Sequence, residues 1–298
     1  MDLSLIICTR NRSHQLRACL EAISNIKFER NWELIIVDNG SVDETRTVVH
    51  KYMDTAPVSV TYVNETRPGL GNAHNAGLAV AIGDIVAFTD DDCYPSTNYL
   101  ENIFRAFRDL SVGYVTGRII LHDSTDYPAV INESMTPKTY AAGSFVHAGQ
   151  VQGANMAFRR QALVTIGGFD PLFGPGSLFN AEDVDAAGRI SAVGWEGKYC
   201  PDVLVRHHHR RKAADFAHLW RSYDIGVGAY HMKLLLKSHR LSWFAKGVFA
   251  VRRRIAWNGR PQRIFWEAVG AAWYGYIHVT GSLRNSKNRT KTGRCSQN

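Results

Sequence analysis

Gly83-Asp84-Ile85-Val86-Ala87-Phe88-Thr89-Asp90-Asp91-Asp92 is the stretch that decides the fold. A short apolar run closed by carboxylates reads as a strand buried on both faces that ends at a polar sheet edge. Leu3–Cys8, Glu33–Asp38 and Val58–Val63 have the same character. Helical patterns separate them, at about Ser13–Ser24, after Ser41 and near Ala73–Ala81. Ser41, with Glu44 three residues on, reads as an N-cap and capping box. Strands alternating with helices predict an α/β fold, a mostly parallel sheet flanked by helices. Such sheets take ligands beyond the carboxyl ends of their strands. After residue 110, strands are expected at Val112–Leu121, Gly153–Phe158 and Tyr199–Val205. Helices are expected at Arg159–Ile166 and from Ala181.

Three strand ends carry polar clusters: Thr9-Arg10-Asn11-Arg12, Asp38-Asn39-Gly40-Ser41 and Asp90-Asp91-Asp92. Any one alone is an ordinary turn or helix start, but together on one sheet edge they predict a site. Asp90 and Asp92 are two residues apart and point the same way in extended chain. Their hard oxygens suit Mg²⁺ or Mn²⁺. The alternative is a helix first turn, where acids suit the dipole. Glu182-Asp183, with Asp185 beyond, offers a general base or, again, an acidic first turn. His207-His208-His209 could supply a metal ligand, though only alternate histidines face one way. Arg67, before Pro68-Gly69-Leu70-Gly71, offers a cation for phosphate or sugar.

Taken in order, these segments resemble the family 2 glycosyltransferases, which have the GT-A fold. The likeness runs over roughly residues 3–210. It is carried by Leu5–Arg12, Glu33–Ser41, Gly83–Asp92, and Gly167-Gly168-Phe169-Asp170 followed by Ala181-Glu182-Asp183-Val184-Asp185. The resemblance implies that Thr9, Arg12 and Asp38 contact base and ribose. Asp90 would lie near ribose or metal, with Asp91 beside the nucleotide sugar and Asp92 on the metal. Asp183 would be the catalytic base, Glu182 an acceptor contact, and His207 would complete the metal or diphosphate site. The implied reaction is a single inverting displacement from a UDP- or dTDP-sugar onto a glycan or lipid-linked acceptor. His74 stands where the family often has arginine. The Gln-x-x-Arg-Trp segment of processive synthases is absent, Gln262–Trp266 being a loose echo, so a single-addition enzyme is expected.

The 298 residues carry a net charge of +8, unevenly placed. Residues 1–205 hold 16 Lys/Arg against 24 Asp/Glu, whereas 206–298 hold 19 against 3. The expected organisation is a catalytic domain over 1–210, a helical basic and aromatic membrane-associating region over 211–284, and a disordered tail over 285–298. Trp243-Phe244, Val248-Phe249, Arg252-Arg253-Arg254 and the apolar run Ile264–Leu283 suit a membrane interface; a helical subdomain packed on the core is the alternative. Five widely spaced cysteines and no signal-like start predict a cytoplasmic protein, peripheral on the inner face of the membrane. A nucleic-acid binder using the basic region is a competing class, but no nucleic-acid module is present. A nucleotidyltransferase would carry a Gly-rich loop where this chain has Thr9-Arg10-Asn11-Arg12-Ser13. A catalytically dead sugar-nucleotide sensor would not need both acidic clusters.

Overall fold

The computed structural model describes residues 1–238, 241–247 and 262–292. They form two compact units, Met1–Ala217 and His218–Asn298.

In the first unit, β1 (Leu3–Thr9), β2 (Trp32–Asp38), β3 (Ser59–Asn64) and β4 (Ile85–Asp90) pair in parallel in the order β3-β2-β1-β4. Helices α1 (Ser13–Ser24), α2 (Thr45–Met53) and α3 (Leu70–Val80) connect them. Side chains alternate across the sheet. Leu3, Leu5, Ile7, Leu34 and Ile36 pack with Leu16, Cys19, Leu20 and Ile23 of α1. On the opposite face, α3 lies so close that a Cβ at Gly77 would stand 2.6 Å from Ile6 Cγ2. Burial on both faces explains the unbroken apolar runs.

The second half of the sheet is mixed. β6 (Val112–Leu121) and β9 (Glu196–His207) run parallel. Between β4 and β6 lies β8 (Met156–Arg159), antiparallel to both. Two three-residue strands, β5 (Cys93–Pro95) and β7 (Lys138–Tyr140), pair with β9. Helices α4 (Tyr99–Ala106), α5 (Arg160–Thr165) and α6 (Glu182–Ala192) complete the layer structure. The expected strand over Gly153–Phe158 begins as a 3-10 turn, Gly153–Asn155, and extends only from Met156.

Helix α2 starts at Thr45, so Ser41 is not its N-cap. The Ser41 N–H donates to Asp38 Oδ1 at 2.8 Å and its hydroxyl accepts from Asn11 N at 2.9 Å. Asp43 Oδ1 instead accepts the Thr45 N–H at 3.0 Å. The first unit runs past residue 210 because Phe216 packs on Tyr127 and His209, while Lys212 holds Asp126 at 3.0 Å. In the second unit, α7 (Phe216–Ser238) and the long helix Gln262–Thr292 cross closely. A Cβ at Gly228 would meet Glu267 O at 1.8 Å, and one at Gly270 would meet Ile225 O at 1.9 Å. That helix runs to Thr292. Val248-Phe249, Arg252–Arg254 and residues 293–298 lie outside the described residues.

The β6–β9 ladder slips at Gly117/Arg118, whose partners jump from Cys200 to Leu204. Asn155, fully buried, closes this gap. Its Nδ2 donates to Arg118 O (3.0 Å) and Val203 O (2.9 Å), and its Oδ1 accepts from Tyr99 OH (3.1 Å). Gly117 is required there, since a Cβ would fall 2.0 Å from Val203 O. Asn155→Ala strands two buried carbonyls and a phenol, so urea denaturation should show a loss of about 2 kcal/mol or more.

Candidate active site

β4 delivers its acids to the interior. Asp91 and Asp92 are buried in a turn rather than in extended chain, yet Asp90 and Asp92 still converge. Asp90, Asp92, Cys93 and His207 each present one ligand atom, all within 4.8 Å of one another. The β5–β9 pairing sets Cys93 opposite His207, which explains how a histidine from the end of β9 reaches the end of β4. His207 Nε2 lies 3.2 Å from Asp92 Oδ1. The other two histidines go elsewhere: His208 Nδ1 is 3.1 Å from Tyr94 OH, and His209 Nε2 is 3.0 Å from Tyr127 O.

Asp91 turns the other way. Its Oδ2 accepts from Thr9 Oγ1 at 2.7 Å and its Oδ1 meets Arg12 Nη1 at 2.8 Å, while Arg12 Nη2 pairs with Asp92. Thr9 and Arg12 therefore brace the acid turn. Burial raises Asp91 to about 7 despite the pull of Arg12. Burial also pushes Asp92 up, but His207 and Arg12 outweigh it and hold this carboxyl below the usual range. Burial and the Asp92 charge raise Asp90.

The residues fit a divalent cation. Asp92 Oδ1 is buried beside His207 Nε2 without a well-aligned hydrogen bond, and the hard oxygens of Asp90 and Asp92 with an imidazole form a donor set suited to Mn²⁺ or Mg²⁺. Cys93 is a poor fourth ligand, because burial raises its thiol well above the ordinary value.

The neighbouring strand ends form a frame. Asp38 Oδ1 accepts from Ser41 N and its Oδ2 from Tyr62 OH (2.9 Å). Asn11, at φ 53°, accepts from Val42 N at 2.8 Å, tying the β1 and β2 exits together. Asn39 Nδ2 donates to the carbonyls of Glu65 (2.9 Å) and Arg67 (2.7 Å). Arg67 forks onto Glu65, with Nε 3.0 Å from Oε1 and Nη2 2.6 Å from Oε2, on an exposed side chain. His74, buried between Phe88 and Phe169 with ring centroids 4.8 and 4.6 Å away, is packing material. Burial lowers it to about 3 and keeps it neutral.

The second acidic cluster sits at the start of α6, entered through Ala181 in the left-handed region at φ 87°. Asp183 Oδ2 accepts the Gly153 N–H at 3.0 Å, and its Oδ1 accepts the Val184 N–H at 2.7 Å. Burial raises Asp183 to about 6 against those two N–H bonds. Glu182 is raised as well, by burial and then by the Asp183 charge. Asp185 is structural: it binds Arg189 at 2.9 Å, and Arg189 also donates to the carbonyls of Ile166 and Gly168. The turn Gly153–Asn155 joins the clusters, since Thr89 Oγ1, one residue before Asp90, donates to Ala154 O at 2.8 Å. No sequence pattern marked Gly153, Asn155 or Tyr62, because each acts through a partner remote in sequence.

A parallel half whose strand ends carry an acid cluster of hard ligands, with a buried carboxylate on α6 linked to it, is the arrangement of the GT-A fold. The profile of Glycosyl transferase family 2 matches residues 4–167, more than half the chain, and the chain belongs to this family. It is 27% identical over 178 residues to the uncharacterized glycosyltransferase alr2836 of Nostoc, covering 58% of this chain and 55% of that protein. It is 27% identical over 205 residues to the O-antigen chain rhamnosyltransferase WbaN of Salmonella anatum, covering 65% and 62%. The chain thus spans little more than half to two thirds of these relatives' length. The fold matches the mannosyltransferase PcManGT from Pyrobaculum calidifontis, solved with GDP-Man and Mn²⁺, with a TM-score of 0.63 and 23% identity. That match covers 99% of this chain and 80% of that one.

Adding Mn²⁺ to the purified protein should raise its melting temperature, since a ligand of the native state stabilises it. Asp92→Ala and His207→Ala should each reduce or abolish the shift.

Proposed function

We propose that this chain transfers one sugar from a nucleoside diphosphate sugar to a glycan or lipid-linked acceptor, with inversion at the anomeric carbon, at a membrane surface in the cytoplasm. The observation that carries it is the link through Gly153–Asn155 between the Asp90/Asp92/His207 cluster and Asp183. That linkage supports a diphosphate at the first cluster and an acceptor hydroxyl at the second.

Asp90, Asp92 and His207 would hold Mn²⁺ or Mg²⁺, which when bound neutralises charge on the leaving diphosphate. Thr9, Arg12 and Asp38 would border the base and ribose, with Arg67 at the outer rim and Asp91 fixing Arg12. Asp183 accepts the proton of the acceptor hydroxyl as its oxygen forms the new bond to the anomeric carbon and the nucleoside diphosphate departs from the opposite face. Glu182 contacts the acceptor beside it. UDP and dTDP are the favoured carriers. A structural neighbour was solved with GDP-Man, so GDP-sugars are tested as donors beside UDP- and dTDP-sugars. No observation favours a nucleic-acid or nucleotidyl-transfer role.

Asp183→Asn should lower turnover about 10²–10⁴-fold while leaving the donor-induced melting shift intact. Transfer at the wild-type rate would remove Asp183 as base. The base works ionised and its pKa is raised, so turnover should fall as the pH drops through about 6. A pH–rate profile flat between 5 and 7 would contradict this assignment.

A further inference from the structure

The long helix Gln262–Thr292 is inverted in polarity over its described side chains. Its charged residues face inward. Arg263 Nε lies 2.5 Å from Glu267 Oε1 and 3.7 Å from Asp224 Oδ1 on α7, and His231 Nδ1 of α7 is 3.8 Å from Glu267 Oε2. One set of its apolar residues faces out, while Tyr274 is buried. Phe265, Tyr276 and Val279 are 60%, 69% and 56% exposed, and Ala268 and Ala272 between them are also exposed. These five positions fall within an arc of about 80° at 3.6 residues per turn. Ile264 and Trp273 flank the arc, both exposed. Between 264 and 280 the one acid or basic Lys/Arg is Glu267, and it is buried. A helix facing water shows the opposite arrangement.

Charge identifies the occupant. Residues 218–298 hold 15 Lys/Arg and two acids, Asp224 and Glu267, and both acids are buried in ion pairs. The unit therefore carries a large excess of positive charge in its sequence, with Arg221, Lys237 and Lys246 exposed among the described residues. A second copy would bring like charge against like. A nucleic acid would meet hydrocarbon where it needs donors. An anionic bilayer satisfies both features: acyl chains take the stripe and headgroups take the cations. Phe, Tyr and Trp suit that boundary. No described helix is long and apolar enough to cross a membrane, so the helix would lie in the plane.

We propose that the Phe265–Ala268–Ala272–Tyr276–Val279 face beds into the surface of an anionic lipid bilayer. This rests on the membrane-surface part of the reading above and names the surface responsible. The test is co-sedimentation of the full chain with vesicles of phosphatidylcholine alone and of phosphatidylcholine with phosphatidylglycerol. The wild type should bind the anionic vesicles, and the triple variant Phe265→Gln/Tyr276→Gln/Val279→Gln should bind them at least about tenfold more weakly, because buried apolar area sets interfacial affinity. These side chains are exposed, so the variant should keep the wild-type melting temperature and donor-induced shift. No wild-type binding, equal binding by the variant, or a wild-type dimer that the variant splits would each overturn the proposal. Loss of the donor-induced shift in the wild type would instead count against sugar transfer and leave the lipid result standing.

Discussion

Three adjacent carboxylates inside a protein need counter-charge, and the architecture of the first unit follows from supplying it. An isolated buried carboxylate is costly, and three together repel. Arg12, at the exit of β1, forks across Asp91 and Asp92. His207, at the far end of β9, approaches Asp92 from the other side. Bringing both to one point requires β1 beside β4, and β9 turned back along β5. The acid turn is thereby held in place before any cation or nucleotide arrives, which is how a preorganised site keeps its geometry.

The second carboxylate site depends on backbone rather than on charge. Asp183 is fixed by two N–H groups, one from its own helix and one from Gly153. Gly153 is fixed in turn because Ala154 and Asn155 are pinned to Thr89 and to the gap in the β6–β9 ladder. The left-handed Ala181 aims the first turn of α6. A non-glycine residue there stores strain, a feature that clusters at functional sites.

The parallel half of the fold was legible because strands buried on both faces leave continuous apolar runs, as in Leu3–Cys8 and Ile85–Thr89. The acids were legible because carboxylates at such strand ends have few structural uses. Their division of labour was not. Asp91 and Asp92 share Arg12 but differ in their second partner, Thr9 for Asp91 and His207 for Asp92, and all three partners are remote in sequence. Ser41 looked like a cap, but its N–H and hydroxyl were already committed to Asp38 and Asn11. The strands β5 and β7 are too short to show a period. The apolar run after Ile264 was visible, whereas its outward orientation depends on where Arg263 and Glu267 find partners on α7.

The sheet has a waist. Between the parallel half, which carries Thr9, Asp38 and Asp90, and the half that carries α6, the connection through the sheet is β8 alone. It pairs over four residues with β4 and three with β6. The two halves thus meet across a short seam, tied among other contacts by Thr89, Asn75 and the Gly153–Asn155 turn. A lineage can alter the specificity of one side by drift in its loops without repacking the other, provided the seam is kept. Chimeras joined at β8 would exchange one half of the sheet across the fewest paired residues.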